Sequence, residues 1–554
     1  MDYLEMIEKK EGEFSALYSR MDTDQELYYL KEFTMKDFEG KAIPKVYNIT
    51  LNDPITYANV VISTLLGSQK NIIIKSDRMK DEEKKYIKDF LKDIEESANE
   101  LITQKDKRIT DLWSFNTHHI CLRGHLAARC LIGFNGDWFL PDITPWDARY
   151  VTYEAGRNGL LWAANKITRS KSKIQSEYNI DIKGDEGEVI DFWDEEFNHV
   201  FIERELIREQ KHNLGYVPVV IQVCPSGSML LDSSSWEHSG ESIYFANRGL
   251  YGKLNAIASI DFTVTHFGFK PNLQYESQAG TDATPPPVPP YGVGVVVPVE
   301  PGLGFKKMPL EDVHNAARQS FAIIEARIQR GGLPATSYGN LTFPLSAVAL
   351  ARLGATEDQL YAPRFQGLAL FYKALWGMVI KQYTDRKLRV KLEGKGNKKK
   401  YSGSQLKGDY EIEYQFSPVA PERNIADLSV AAAQQNFLSV ETILRDTLKV
   451  DNPTEEYNKK LVDLAMQINS TVAKIRIIKA LVDEGQDYEA KVMAAEMGMS
   501  LDQILSGGQA GKEKGVTPLS VKPILPLMGG QASSIKRSQK GAEALESEAP
   551  IEEE

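Results

Sequence analysis

The sequence predicts a mixed α+β chain, and three observations carry that reading. Helical and strand-like patterns occupy separate stretches instead of alternating. A block of short runs rich in Val, Ile, Tyr, Phe and Trp fills about 128–225. Two helical segments then bracket a proline-rich insert. The 554 residues are 42% hydrophobic and 26% charged, the composition of a globular chain. With 77 acids against 66 bases the formal charge is −11, which argues against a surface that grips DNA all over. Three cysteines, Cys121, Cys130 and Cys224, are too few for a disulfide framework and predict a reducing compartment. The opening residues carry no basic and apolar leader, and no stretch offers ~20 uninterrupted apolar residues, so neither a secretory signal nor a membrane span is expected.

In chain order, the first hundred residues read as helical. Asp53-Pro54 predicts the start of a helix ending near Gly67, and 80–103 reads as a solvated surface helix carrying Tyr86, Phe90, Leu91, Ile94, Ala98 and Leu101. Strand-like runs come next at 138–140, 150–153, 160–167, 189–193, 200–206 and 217–223, with Arg157-Asn158-Gly159 as a tight turn. Helix resumes over 241–268, where Ile243, Asn247, Leu250, Leu254, Ile257, Asp261 and Val264 form a seam of heptad type interrupted by two polar residues. Pro285-Pro286-Pro287 and Pro289-Pro290 cannot be helical, and 292–299 reads as a short strand. Helical spacing returns at Val313, Ala317, Phe321, Ile324 and Ile328 and stops at Gly331-Gly332. A loop to Pro344 leads into a long helix reaching about Thr384, where internal Pro363 predicts a kink. Strand-like runs at 388–392 and 410–416 bracket a basic turn, since 386–407 holds nine Lys or Arg and one acid. From 424 the chain is mostly helical, with Asn452-Pro453-Thr454-Glu455 opening a helix whose face carries Tyr457, Leu461, Leu464, Ile468, Val472, Ile475 and Val482. The stretch after 506, ending in six glutamates and no base over 541–554, reads as a disordered tail.

Chemical motifs are sparse. His118, His119, Cys121, His125 and Cys130 make the densest cluster of metal-ligating types, but the cysteines are nine apart within a predicted helix and lack paired zinc-site spacing. Ser226 and Ser228 lack a nucleophile elbow. Glycine pairs at Gly292/Gly294 and Gly302/Gly304, and the Gly508–Lys512 run, lack the spacing of a phosphate cradle. The basic turn admits either phosphate contact or a plain solvated hairpin.

The order of these parts resembles a tailed-bacteriophage portal protein. The resemblance rests on Pro145-Trp146-Asp147-Ala148-Arg149-Tyr150, on Leu160-Leu161-Trp162-Ala163-Ala164, on Gly215-Tyr216-Val217-Pro218-Val219-Val220 ahead of the first of two helices, and on the helix–insert–helix unit with its trailing loop and broken helix. It spans most of 40–500 and implies a wing over 1–240, stem helices at 241–268 and 309–331, and a clip at 269–308. It also implies a tunnel loop, kinked wing helix and wing strands over 332–422, a helical crown over 423–505 and a tail over 506–554. A portal protein would be a non-enzymatic, cofactor-free homo-oligomeric ring, usually of twelve subunits. It would sit at one capsid vertex of the virion, assembled in the host cytoplasm. It would pass double-stranded DNA and meet the terminase large subunit, the major capsid and scaffold proteins and head–tail adaptor proteins, with no membrane. Gly331, Gly332, Pro334, Ser337, Gly339 and Asn340 would form the channel loop. Arg318, Arg327 and Arg330 would face DNA or a neighbouring subunit, and Pro285, Pro286, Pro287, Pro289 and Pro290 would belong to a docking clip. The rival readings are a metal-dependent or hydrolytic enzyme using His118, His119, Cys121 and His125, and another ring-forming virion scaffold component.

Overall fold

The computed structural model describes residues 3–135, 138–229, 235–269, 313–333, 347–385, 400–417, 430–448, 453–468, 470–483 and 486–505. It also describes the short strands 273–276, 304–307 and 389–392 and the single residues 338, 428 and 450. Two compact units divide the chain, Met1–Glu456 and Tyr457–Glu554.

The first unit mixes helices and sheets. Helices α1 (Tyr3–Glu13), α2 (Ser15–Tyr28) and α3 (Asp53–Leu66) open it, succeeded by β1 (Gln69–Lys75), α4 (Asp81–Lys105) and α5 (Leu112–Leu122). The expected all-helical first hundred residues are thus interrupted, by an irregular arm over 29–52 and by β1. The arm contains the bridge Lys36↔Ala42. Strand β1 pairs antiparallel with β14 (Glu411–Ser417) through Ile73↔Glu413, a partner so distant that local pattern cannot display it. Nor is α4 a solvated helix. Ile87, Phe90, Leu91, Ile94, Ala98 and Ile102 are buried in the main core, so one face is fully covered.

Strands β2 (His125–Asn135), β3 (Trp138–Trp146), β9 (Val219–Val223), β12 (Arg389–Leu392) and β13 (Lys400–Ser402) form one five-stranded sheet in the order β13-β12-β3-β2-β9. A second sheet is the meander β4 (Val151–Gly156), β5 (Gly159–Ser170), β6 (Glu186–Trp193), β7 (Phe197–Ile202) and β8 (Glu205–Lys211), with the short helix α6 (Lys171–Tyr178) between β5 and β6. The turn anticipated at Arg157-Asn158-Gly159 closes the β4–β5 hairpin, and Gly159 takes φ +131°, open to glycine because it has no Cβ. Cys130 lies on β2, not in a helix with Cys121: the turn Arg123-Gly124 after α5 breaks the pattern. The long helix α9 (Ala347–Asp385) runs through Pro363 and lays Leu368, Phe371, Tyr372, Leu375, Trp376 and Val379 into the main core beside β2, β9 and β14. At about 25 cal/mol per Å² of apolar area, side chains of this size dominate the unit's burial.

In the second unit, helices Ser470–Asp483, Asp487–Glu496 and Leu501–Leu505 pack around Ile478, Ala490, Ala494 and Ile504. The expected helical face is covered only in part: Leu461, Leu464 and Ile468 on Pro453–Ile468 are exposed, and the covered positions lie on Ser470–Asp483. The strand expected at 292–299 and the tail after 506 lie outside the described residues.

Candidate interaction site: a helical hairpin and its root

The helix expected over 241–268 begins later, as α7 (Arg248–Phe269). Residues 243–247 are turns instead. The delay has an electrostatic cause: the polar residues at this point anchor the helix from outside it. Arg248 makes a bidentate pair with Asp24 of α2 (2.6 and 2.9 Å) and a third bond to Glu241 (2.6 Å). Arg20 donates to the carbonyls of Glu237 and Ser239 and approaches Glu241 at 3.5 Å. Asp24 and Glu241 are almost wholly inaccessible to water. Two buried acids facing buried Arg20 and half-buried Arg248 balance in charge, the condition under which such a cluster survives desolvation. Burial holds the Asp24 carboxyl above its ordinary range despite Arg248. Burial also pushes Glu241 up, but its bonds from Arg248 and His238 bring it below. Arg364 of α9 donates to the Glu241 carbonyl (3.2 Å), tying the root to the core helix.

One flank of α7 carries Asn255, Ser259 and Thr263, four residues apart. Their side chains accept from the backbone N–H groups of Leu51 (3.0 Å), Ile49 (2.9 Å) and Tyr47 (3.1 Å). Two extended residues advance ~6.6 Å and four helical residues ~6.0 Å, so alternate arm amides meet successive turns of the helix. The arm therefore runs antiparallel to α7, ending where the Tyr47 hydroxyl meets His266 Nε2 (2.8 Å). By the 100° step per residue, the seam Leu250, Leu254, Ile257, Asp261 and Val264 lies on the side of α7 away from these acceptors.

Helix α8 (Val313–Arg330) packs along α7 and ends at the predicted Gly331. The strands just outside the pair, β10 (Leu273–Glu276) and β11 (Gly304–Lys307), are antiparallel partners. The segment therefore goes out as a helix, is closed by a two-stranded ladder and returns as a helix. At the base, Asn247 Nδ2 donates to the Ile328 carbonyl (2.9 Å), satisfying one of the last acceptors of α8. Gly331 is needed because a Cβ there would lie 2.2 Å from Asn247 Oδ1. It does not supply a left-handed cap, since its φ is not positive.

Inward positions on α8 are Ala317, Phe321, Ile324 and Ile328, and the residues between are exposed. Arg318, Arg327 and Arg330 are all exposed. Nine residues separate the first two, half a turn of azimuth, so the three do not share one face. Gly332 comes after Gly331, and Leu333 is buried in the main core, fixing where the loop departs. Pro334, Ser337, Gly339 and Asn340 lie outside the described residues, as do Pro285, Pro286, Pro287, Pro289 and Pro290.

The residues of the enzyme reading are dispersed into separate packing roles. His118 Nδ1 meets the Ser114 carbonyl (2.8 Å), and His119 stacks on Phe115 with its ring centroid 3.9 Å away. Burial lowers His119 to about 4 and His125 to about 3, and raises the Cys121 thiol to about 12, the reverse of an activated nucleophile. Among the described residues no group of three or more His, Cys, Asp or Glu could hold a metal ion. No described helix is long and apolar enough to cross a membrane.

Sequence reading missed Asp24, Glu241, Arg248 and the Asn255/Ser259/Thr263 ladder. The last left a signal, three small polar residues at i, i+4 and i+8 along one flank of the helix.

No family model matches the sequence, and no curated protein is similar to it. Among solved structures, the chain is similar to one from the neck of an empty gene transfer agent particle computed with C6 symmetry. The TM-score is 0.40 and the identity 12%, covering 71% of this chain and 88% of that chain. A chain from the virion of the native gene transfer agent particle gives a TM-score of 0.37 and 12% identity over 70% and 88%. One from the native neck computed with C12 symmetry gives 0.37 and 12% over 71% and 88%.

Proposed function

We propose that this chain is the subunit of a phage portal: a non-enzymatic ring at one capsid vertex that conducts duplex DNA, docks the terminase motor and later binds neck proteins. The observation that carries the reading is the hairpin α7–α8, closed at its far end by β10–β11 and anchored at its root by buried ion pairs. A two-helix projection with one helix largely uncovered is marginal alone and gains from lateral packing against copies of itself. DNA passing through such a ring meets every channel-facing charge once per subunit. Duplex DNA carries one negative charge per ~1.7 Å, so a collar of arginines would hold it fast. The half-turn between Arg318 and Arg327 supports low friction, because a single channel-facing stripe cannot hold both. The excess of 77 acids over 66 bases fits the same requirement. Twelve copies, as in the resembling family, is the number proposed.

Negative-stain imaging of the purified full-length chain tests the proposal. Rings with a central channel wide enough for a DNA duplex are expected. A population of separate monomers at micromolar concentration would overturn it.

A further inference from the structure

The β4–β5 hairpin ends in one of the two Asn-Gly pairs of the sequence, Asn158-Gly159; the other is Asn135-Gly136. Gly156 pairs with Gly159, so Arg157 and Asn158 are the two residues of the turn. Neither of them has a positive φ, and Gly159 supplies the left-handed step at +131°. Asn158 and Gly159 are both exposed, and no described residue bonds the Asn158 carboxamide. A Cβ on Gly159 would meet nothing within 4 Å, so the space beside this residue is open to water. Glycine also brings no side chain of its own to screen its backbone nitrogen. Three comparison residues each lack one of these conditions. Asn48 is exposed, but its Oδ1 accepts from the Met35 N–H (2.9 Å). Asn179 and Asn213 are exposed, but bulky Ile180 and Leu214 follow them.

We infer that Asn158 is a self-modifying residue, which cyclises with Gly159 and leaves a carboxylate at the hairpin tip as the protein ages. The backbone nitrogen of Gly159 gives up its proton to hydroxide and attacks Cγ of Asn158. A new carbon–nitrogen bond closes a five-membered imide, the bond from Cγ to Nδ2 breaks, and ammonia leaves after taking a proton from water. Water then adds to one of the two imide carbonyls. Opening at Cγ gives aspartate, and opening at the main-chain carbonyl gives isoaspartate, in which the chain runs through Cγ. One water is consumed and one ammonia released, and no oxidant or reductant takes part. The product carboxyl is ionised at neutral pH. The two-residue turn carries one positive charge, on exposed Arg157, before conversion and no net charge after it. Isoaspartate also adds a backbone carbon to this turn, which moves Gly159 out of register with Gly156. Nothing in the step requires a partner or a ring, so it stands apart from the portal reading.

The test holds the full-length protein for days at mildly alkaline pH and maps its peptides by mass spectrometry. Conversion at Asn158 is expected to run at least tenfold faster than at Asn179, Asn213 or Asn48, with aspartate and isoaspartate forms resolved as separate peptides. Equal rates at these sites would overturn the inference. So would an Asn158 that stays intact in the folded protein while converting in the urea-unfolded chain, since the hairpin would then shield the amide. Asn158→Gln, whose cyclisation would need a larger ring, is expected to stay unmodified at this position, and conversion there at the parent rate would count against the imide route. Gly159→Ala is expected to slow conversion at least tenfold. It is read in the urea-unfolded chain as well as the folded one, so that strain from a methyl at φ +131° does not mask the effect. An unchanged rate in the unfolded variant would overturn the part given to Gly159.

Discussion

The root of the hairpin and its shaft are built on opposite plans. At the root, Asp24, Glu241 and Arg20 are buried and Arg248 half-buried, and all four are paired and fastened to α2 and α9 by contacts within one chain. Along α8 only Ala317, Phe321, Ile324 and Ile328 turn inward, and most of the helix surface meets water. The root is satisfied by its own chain and resists change. The shaft leaves apolar and charged groups open to solvent. Stability should therefore be lost at the root and assembly at the shaft.

The sharpest way to break this contrast is Arg248→Ala, which removes the bidentate partner of buried Asp24 and one of the partners of Glu241 and should cost about 3–5 kcal/mol in urea unfolding. A cost below ~1 kcal/mol would mean the root is no more committed than the shaft. Acid comes next. Buried His119 and His125 hold folded-state values of about 4 and about 3, below the unfolded value near 6.5, so between these limits the unfolded chain takes up protons that the folded chain refuses. Their contribution is complete above about pH 6.5 and disappears as pH falls toward about 3. Denaturant midpoints measured from about pH 7 to about pH 4 should fall accordingly, and replacing both histidines by Asn should flatten the slope.

Gly331→Ala drives a methyl into Asn247 and should cost about 1–3 kcal/mol, recovered in part by adding Asn247→Ala, as a double-mutant cycle in thermal unfolding would read. Replacing Asn255, Ser259 and Thr263 together by Ala should cost about 1 kcal/mol for each lost bond and speed hydrogen exchange at the Tyr47, Ile49 and Leu51 amides at least tenfold. Smallest of all, Arg318→Ala and Arg327→Ala should each stay within about 0.5 kcal/mol of the parent in thermal unfolding, because both side chains are exposed.

Much of the frame was legible in residue order. The strand block, the Arg157–Gly159 turn, the helix pair and its end at Gly331 all come from local periodicity and turn chemistry, which are short-range properties. The features that escaped were long-range. Strand β1 is a strand because β14 lies beside it. The polar residues that interrupt the heptad seam near 247 looked like defects, whereas Asn247 closes the end of α8. The start of α7 lies seven residues later than expected because Glu241 pairs with Arg248 from outside the helix, an interaction that also needs Asp24 far upstream. The His/Cys cluster read as a rival chemistry because spacing cannot tell an imidazole facing ligands from one packed against Phe115.

The arm on α7 is held by two rulers of nearly equal pitch, and their small disagreement sets its length. Each step along the ladder accumulates about 0.6 Å of slip between extended and helical backbone. A fourth rung would sit almost ~2 Å out of place, beyond what a hydrogen bond tolerates. Three rungs is thus close to the most that this pairing of unlike backbones can sustain without a bend, and a single-residue deletion between 47 and 51 would unfasten the arm instead of shortening it.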